Sequence, residues 1–125
     1  MKDKKHILIV DDEKLVRSVV AKIAEKRGAE VTSLSNGKEL KKILQDEIFH
    51  LAIVDLLMPE ISGWGIIDTI RSDARNSKMP IVVLSGTKVS QEEKSRLLEK
   101  VNAVVNKSTF SLQGFDCIVE SCSTL

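Results

Sequence analysis

Tyrosine is absent from this chain of 125 residues, and aromatic residues make up only 3% of it. Charge of one sign is also missing: 19 lysines and arginines face 18 aspartates and glutamates. A near balance of this kind argues against a nucleic-acid or anionic-membrane surface as the main partner. No apolar run approaches the roughly 20 residues needed to span a bilayer. The charged N-terminus, Met1 to Lys5, has no long apolar stretch and cleavage site behind it, so no signal peptide is expected. Repeats, low-complexity tracts and linkers are lacking as well. There are only two cysteines, Cys117 and Cys122. Five residues on a helix rotate by about 140°, so the two thiols face different ways and fit neither a disulfide nor a metal-ligand spacing. Free thiols suit a reducing cytoplasm.

The content is that of an ordinary globular domain, 42% hydrophobic and 30% charged. At this length one domain over 1–125 is expected, large enough to fold without disulfides. Apolar strand runs alternate with helical stripes from end to end. Strands are expected at His6–Val10, Glu30–Leu34, Leu51–Asp55, Ile81–Ser85 and Ala103–Asn106. The first helix, Lys14–Arg27, carries Val16, Val19, Val20, Ile23 and Ala24 on one face and stops at Gly28. Ser35-Asn36-Gly37 makes a turn before a helix that buries Leu40, Ile43 and Leu44. Trp64–Arg71 carries a stripe of Ile66, Ile67 and Ile70. Pro80 stands just before a strand, where a missing N–H is tolerated. Ser90-Gln91-Glu92-Glu93 reads as a capping box, with Leu97, Leu98 and Val101 on the inner face of its helix. Leu112, Phe115, Val119 and Cys122 mark a last helix. Five strands alternating with five helices imply a doubly wound parallel sheet covered on both faces, with the first strand central because its residues are apolar throughout.

Polar groups gather at the carboxyl ends of these strands, where open α/β sheets bind ligands. Asp11 and Asp12 follow the first strand, Asp55 closes the third, Ser85 closes the fourth, and Lys107 follows the fifth. Taken singly, each has a plain structural role. An aspartate caps the next helix, Asp55 serves a turn, Ser85 with Gly86 starts one, and Lys107 is solvated. The four plain roles are less credible together than apart. His6 and His50 have no partner at catalytic or ligand spacing. Trp64 is expected to pack, and Glu92-Glu93-Lys94 to be a solvated helix face.

The set Asp11-Asp12, Asp55-Leu56-Leu57-Met58-Pro59 with Gly63, Ser85-Gly86 and Lys107 resembles the receiver domain of two-component response regulators. The likeness runs from His6 to about Val119. It implies a flavodoxin-like fold of strand order 2-1-3-4-5. It also implies a phosphoryl group taken by Asp55 from a histidine kinase or phosphotransfer protein, with no enzymatic role beyond the domain's own phosphorylation and dephosphorylation. In the pattern of that family Asp12 and Asp55 bind Mg²⁺ directly, the backbone carbonyl of Leu57 contributes, and Asp11 acts through water. Lys107 places its charge on a phosphoryl oxygen, and Ser85 donates a hydrogen bond that draws its loop inward. Elementary electrostatics agrees. At an effective dielectric near 20 and about 5 Å, each carboxylate pair repels by roughly 3 kcal/mol. Either the pKa values rise or a cation sits among them, and oxygen ligands favour Mg²⁺.

Two positions depart from the family pattern. Val104 stands where an aromatic side chain often swings inward, so coupling must rely on loop and backbone shifts. Ser108 follows Lys107 where proline is usual, and a cis bond is not expected there. Leu57 and Thr87 flank the approach of a hydrolytic water, and an apolar Leu57 offers that water nothing. Slow loss of the phosphoryl group is therefore expected, and a half-life no longer than a minute or so in Mg²⁺ buffer would count against it. Two other functions compete. A phosphohydrolase using an aspartyl phosphate needs an acid where Leu57 stands. A pseudo-receiver, a binding module not controlled by phosphate, draws on Val104 and Ser108. The kinase, the signal, the downstream partner and any attached output domain are not written in these residues.

Overall fold

The computed structural model describes residues 5–56, 62–86 and 89–107. Five strands are present: β1 His6–Val10, β2 Glu30–Leu34, β3 Leu51–Asp55, β4 Ile81–Ser85 and β5 Ala103–Asn106. They form one parallel sheet of order β2-β1-β3-β4-β5. This is the expected flavodoxin-like topology. β1 is interior, paired to β2 and β3, while β3 is the middle strand. Four helices lie among the described residues: α1 Lys14–Lys26, α2 Leu40–Asp46, α3 Gly63–Ser72 and α4 Gln91–Leu98. The expected last helix, with its two cysteines, lies outside them, as do Leu57, Thr87 and Ser108. No helix among the described residues is long and apolar enough to cross a membrane.

Alternating side chains along a strand point to opposite faces, and two cores result. Leu8, Val10, Ala52, Val54, Ile81 and Val83 face one side, packed with residues of α2, α3 and α4. Ile7, Ile9, Ile53, Val82, Leu84 and Val105 face the other, with Val20 and Ala24 of α1. All five residues of β3 and of β4 are buried. That is why these strands read as unbroken apolar runs rather than alternating ones.

Helix ends differ from expectation in small ways. Arg27 is the cap of α1 rather than its last residue, and Gly28 follows at φ +79°, a conformation open to glycine. α3 begins one residue earlier than expected, at Gly63, under the N-cap Ser62. Ser90 Oγ accepts the Glu93 N–H at 3.1 Å, one of the two bonds of the expected capping box. The Glu93 carboxylate accepts from Trp64 Nε1 at 3.4 Å, so it joins α4 to α3. Leu98 is a correction. It is 46% exposed, because one residue past the buried Leu97 turns the side chain by about 100°.

Arg71 bolts the lower edge of this half together. Its guanidinium donates to the carbonyl oxygens of Lys100 at 2.8 Å, Ser77 at 3.0 Å and Met79 at 2.7 Å. The two histidines, expected to be unremarkable, tie strands. The His6 N–H donates to His50 Nδ1 at 2.9 Å, and His6 Nε2 lies 2.7 Å from Thr32 Oγ1.

Candidate functional site

All five strands run the same way, so their carboxyl ends share one rim of the sheet. Register fixes the neighbours there. Val10 pairs with Val54, Asp55 with Leu84, and Ser85 with Asn106. Asp11 is thus carried beside Asp55, and Lys107 one residue past the partner of Ser85. Backbone bonds hold these ends: Asp11 N–H to Leu34 O at 3.0 Å, Leu56 N–H to Leu84 O at 2.9 Å, and Lys107 N–H to Ser85 O at 2.7 Å. Asp11, Asp55 and Ser85 are buried, and Asp12 and Glu13 are exposed.

Lys107 crosses the chain to meet the acids. Its Nζ lies 3.0 Å from Asp11 Oδ2, 3.2 Å from Asp55 Oδ2 and 2.6 Å from Glu13 Oε1. Asp11 is 96 residues away in sequence. Asp11, Asp12, Glu13 and Asp55 each offer a carboxylate oxygen, and these atoms all lie within 4.8 Å of one another. The expected group Asp11, Asp12, Asp55 and Lys107 is brought together, with Ser85 on the adjoining strand end. Glu13 is the member that the sequence left out. Three acids in a row were its only signal, and nothing in the sequence tells that Glu13 reaches Lys107.

Asp11 Oδ1 takes two hydrogen bonds, the longer from Lys107 Nζ at 3.3 Å. The shorter comes from the Glu13 N–H at 2.8 Å, a local turn of the kind expected for an aspartate before a helix. Asp11 Oδ2 is buried and accepts no well-directed hydrogen bond, though the Lys107 ammonium stands nearby. Burial drives the Asp11 carboxyl above its ordinary range, against the opposing pull of the Glu13 N–H and Lys107. Burial also disfavours the Lys107 ammonium, but hydrogen bonds to Glu13 and Asp11 and the charges of Asp11 and Asp55 outweigh it and raise its pKa. The lysine is therefore a fixed positive charge. A buried acid with an unsatisfied oxygen, set among other oxygen donors, suits a hard divalent cation.

Gly63 explains how the loop after Asp55 is closed. Its N–H donates to Leu56 O at 2.8 Å. A Cβ placed there would lie 2.6 Å from Asp55 O and 2.6 Å from Leu56 Cα. Both are backbone atoms, so only glycine lets α3 start against the end of β3.

The family model of the response regulator receiver domain matches residues 7–113. The chain belongs to this family. Receiver domains act as phosphorylation switches in two-component systems. Among curated relatives, this receiver is 33% identical over 92 residues to the transcriptional regulatory protein GltR of Pseudomonas aeruginosa, which covers 74% of this chain and 37% of that protein. It is 35% identical over 80 residues to the probable transcriptional regulator ycf27 of Cyanidium caldarium, covering 64% of this chain and 31% of that one. The receiver thus spans about a third of the length of these relatives. Its fold is similar to that of chemotaxis protein CheY4 of Vibrio cholerae, with a TM-score of 0.85 at 20% identity over 96% of this chain and 99% of the other. It is also similar to the receiver domain of sensor histidine kinase PA1611 of Pseudomonas aeruginosa, whose structure has a magnesium ion coordinated in the active-site cleft. There the TM-score is 0.83 at 18% identity, over 98% of this chain and all of the other.

Proposed function

We propose that Asp55 is the phosphoacceptor of a divalent-dependent switch. A histidine kinase or phosphotransfer protein is the donor, and the switch alters a protein-binding face that includes α4 and β5. The observation that carries this is the meeting of the Lys107 ammonium with the buried carboxylates of Asp11 and Asp55 at one strand rim.

An Asp55 carboxylate oxygen forms the new O–P bond as the donor's P–N bond breaks, and the electron pair of that bond stays on the imidazole nitrogen. Asp55 is held for attack by the ladder of β3, which aims its side chain out of the strand end. Lys107 neutralises charge on a phosphoryl oxygen. The Ser85 hydroxyl donates to another and draws the 86–89 loop toward the site.

The donor set fits magnesium. Two oxygens sharing one such ion at its usual bond lengths are at most about 4.2 Å apart, and the carboxylate oxygens lie within 4.8 Å of one another, so a small side-chain turn or one bridging water closes the difference. Asp12 and Asp55 would hold it directly and Asp11 through water. The family pattern adds the carbonyl of Leu57, which lies outside the described residues. Magnesium there supplies positive charge that screens the repulsion between the Asp55 carboxylate and an anionic phosphoryl group. The receiver of PA1611, with its coordinated magnesium, supports this assignment.

The domain catalyses only its own phosphorylation and dephosphorylation, occupies 1–125 as a single unit, and works in the cytoplasm without direct nucleic-acid or membrane contact. Val104, in place of the expected aromatic, favours a second reading, a pseudo-receiver that binds partners independently of phosphate. Incubation with acetyl phosphate and Mg²⁺, followed by intact mass, separates the two. The switch gains one phosphoryl group, loses that gain in Asp55→Asn, and loses it again with EDTA. A wild-type protein that gains no mass is a pseudo-receiver.

A further inference from the structure

Glu13 has no part in the phosphoryl chemistry above, yet among the described residues it makes the shortest ion pair to Lys107. Its Oε1 is 2.6 Å from Nζ, against 3.0 Å for Asp11 and 3.2 Å for Asp55. The three partners differ in access to water. The side chains of Asp11 and Asp55 are 0% and 3% exposed, and that of Glu13 is 57% exposed. A buried carboxylate stripped of its cation is left with a large desolvation cost. An exposed one is rehydrated at little cost.

Glu13 is also well placed to hold. It is the N-cap residue of α1, but its side chain makes no cap bond. Its backbone is fixed at both groups: the N–H donates to Asp11 Oδ1 at 2.8 Å, and the carbonyl accepts from Arg17 N–H at 3.1 Å. The carboxylate is therefore delivered beside the site by the same turn that positions Asp11. Lys107 in turn hangs from Ser85 O by its own N–H.

We propose that Glu13 is a positioning residue that grips the Lys107 ammonium in the resting site and competes for it with an incoming phosphoryl group. The proposal rests on Asp55 being the phosphoacceptor. A phosphoryl group that recruits Lys107 has to draw it from the three carboxylates that hold it among the described residues. The two buried ones cannot be rehydrated, so Glu13 is the partner released. The grip restrains charging by small phosphoryl donors, by the worth of an exposed ion pair, about two- to fivefold in rate.

Wild type, Glu13→Gln and Glu13→Asp are compared in the 125-residue chain. Initial phosphoryl uptake from acetyl phosphate at saturating Mg²⁺ is followed by intact mass, and the Lys107 ammonium signal is followed by ¹⁵N NMR in metal-free protein. Both variants should charge about two- to fivefold faster, and both should lose the slowed proton exchange of the Lys107 ammonium. Glu13→Asp keeps the charge but is one methylene short, so it separates a grip from bulk repulsion. If Glu13→Asp charges like wild type while Glu13→Gln is faster, general electrostatics is responsible and the proposal fails. It fails equally if neither variant charges faster, or if neither alters the Lys107 signal. A wild type and variants that all take up no phosphoryl group overturn the phosphoacceptor assignment instead, and competition with it, while the ammonium signal still tells whether Glu13 holds Lys107 at rest.

Discussion

Replacing Lys107 by methionine tests the electrostatic design of the site most directly. The ammonium sits 3.0 Å from Asp11 Oδ2 and 3.2 Å from Asp55 Oδ2, with its own side chain 10% exposed. At an effective dielectric near 20, each contact is worth roughly 5 kcal/mol gross. Desolvating the ammonium and the two acids offsets several kcal/mol of that. Glu13, more than half exposed, adds at most about 1 kcal/mol. Removing one partner of a buried ion pair leaves the other uncompensated and costs about 3–5 kcal/mol. In a domain of this size that is a fall in melting temperature on the order of 10–20 °C. The variant remains folded if total stability is in the ordinary range of about 5–15 kcal/mol.

The sign with cation is opposite. In Lys107→Met the carboxylates no longer share an ammonium, so a divalent ion gains more by entering. Melting in EDTA and over a Mg²⁺ series reads both effects. The metal-free variant should melt far below wild type, and magnesium should raise its midpoint by more than it raises that of wild type. The lysine also gives an alkaline signature. Its folded pKa is raised above the ordinary 10.5. Its stabilisation is therefore complete below 10.5 and is lost as pH rises through the raised value. Wild type should lose this contribution in that alkaline window, and the variant has none to lose. A metal-free Lys107→Met that melts with wild type, or that gains no more from magnesium, refutes the reasoning.

Three further outcomes follow from single contacts. Gly63→Ala should cost about 1–3 kcal/mol by chemical denaturation, although alanine is favoured in a helix by about 1 kcal/mol. Its Cβ meets the backbone of Asp55 and Leu56 at 2.6 Å, so weaker divalent binding should accompany the loss, and unchanged stability would contradict the close approach. Asp11→Asn isolates the buried acid. Because burial raises the folded pKa above 3.8, metal-free wild type should lose stability relative to this variant as pH rises from about 3.8 through the raised value, and a difference of opposite slope in melting against pH would refute this. Arg71→Ala should cost about 2 kcal/mol, since three carbonyls lose a charged donor. Arg71→Lys should recover less than half of it in the same denaturation assay, because an ammonium lacks the planar fork.

The strands were legible because burial on both faces makes a continuous apolar run. β3 and β4, buried at every residue, show it most plainly. β2 at the sheet edge is polar at Glu30, Thr32 and Ser33 and was legible mainly from its place between helices. The placement of Asp11, Asp55, Ser85 and Lys107 at strand ends was legible too, since parallel strands all end on one rim. What the residues did not reveal was reach. Whether Lys107 turns toward acids 96 residues away depends on strand order and on the Ser85–Lys107 backbone bond. Glu13 was missed for that reason. Gly63 shows a different limit: a glycine in a motif is visible, but the space it keeps is visible only against the backbone of β3. At α4 the apolar residues Leu97 and Leu98 look alike in sequence, and only the helix rotation separates the buried one from the exposed one.

In the proposed switch, Val104 in place of an aromatic leaves the route out of the site to loop and backbone shifts and to the contacts of α3 with α4. Val104 is half-buried and packs against the core under α3 and α4, where Trp64 and Val89 also lie. Position 104 itself thus carries no ring to swing. Two links run from the site, one through backbone and one ending in a side-chain bond. Ser85 and Lys107, the two groups assigned to the phosphoryl oxygens, share the 2.7 Å bond between Lys107 N–H and Ser85 O, so displacing one strains the other. On the opposite side, Leu56 O holds the Gly63 N–H, Trp64 follows in the chain, and its indole donates to Glu93 on α4. The first turn of α4 is thus tethered to the end of β3, through α3, and follows β4 in the chain. A shift of either strand end alters the seat of the same helix turn. Bistability of that turn between two packings, rather than rotation of a ring, is the form of switch these contacts favour.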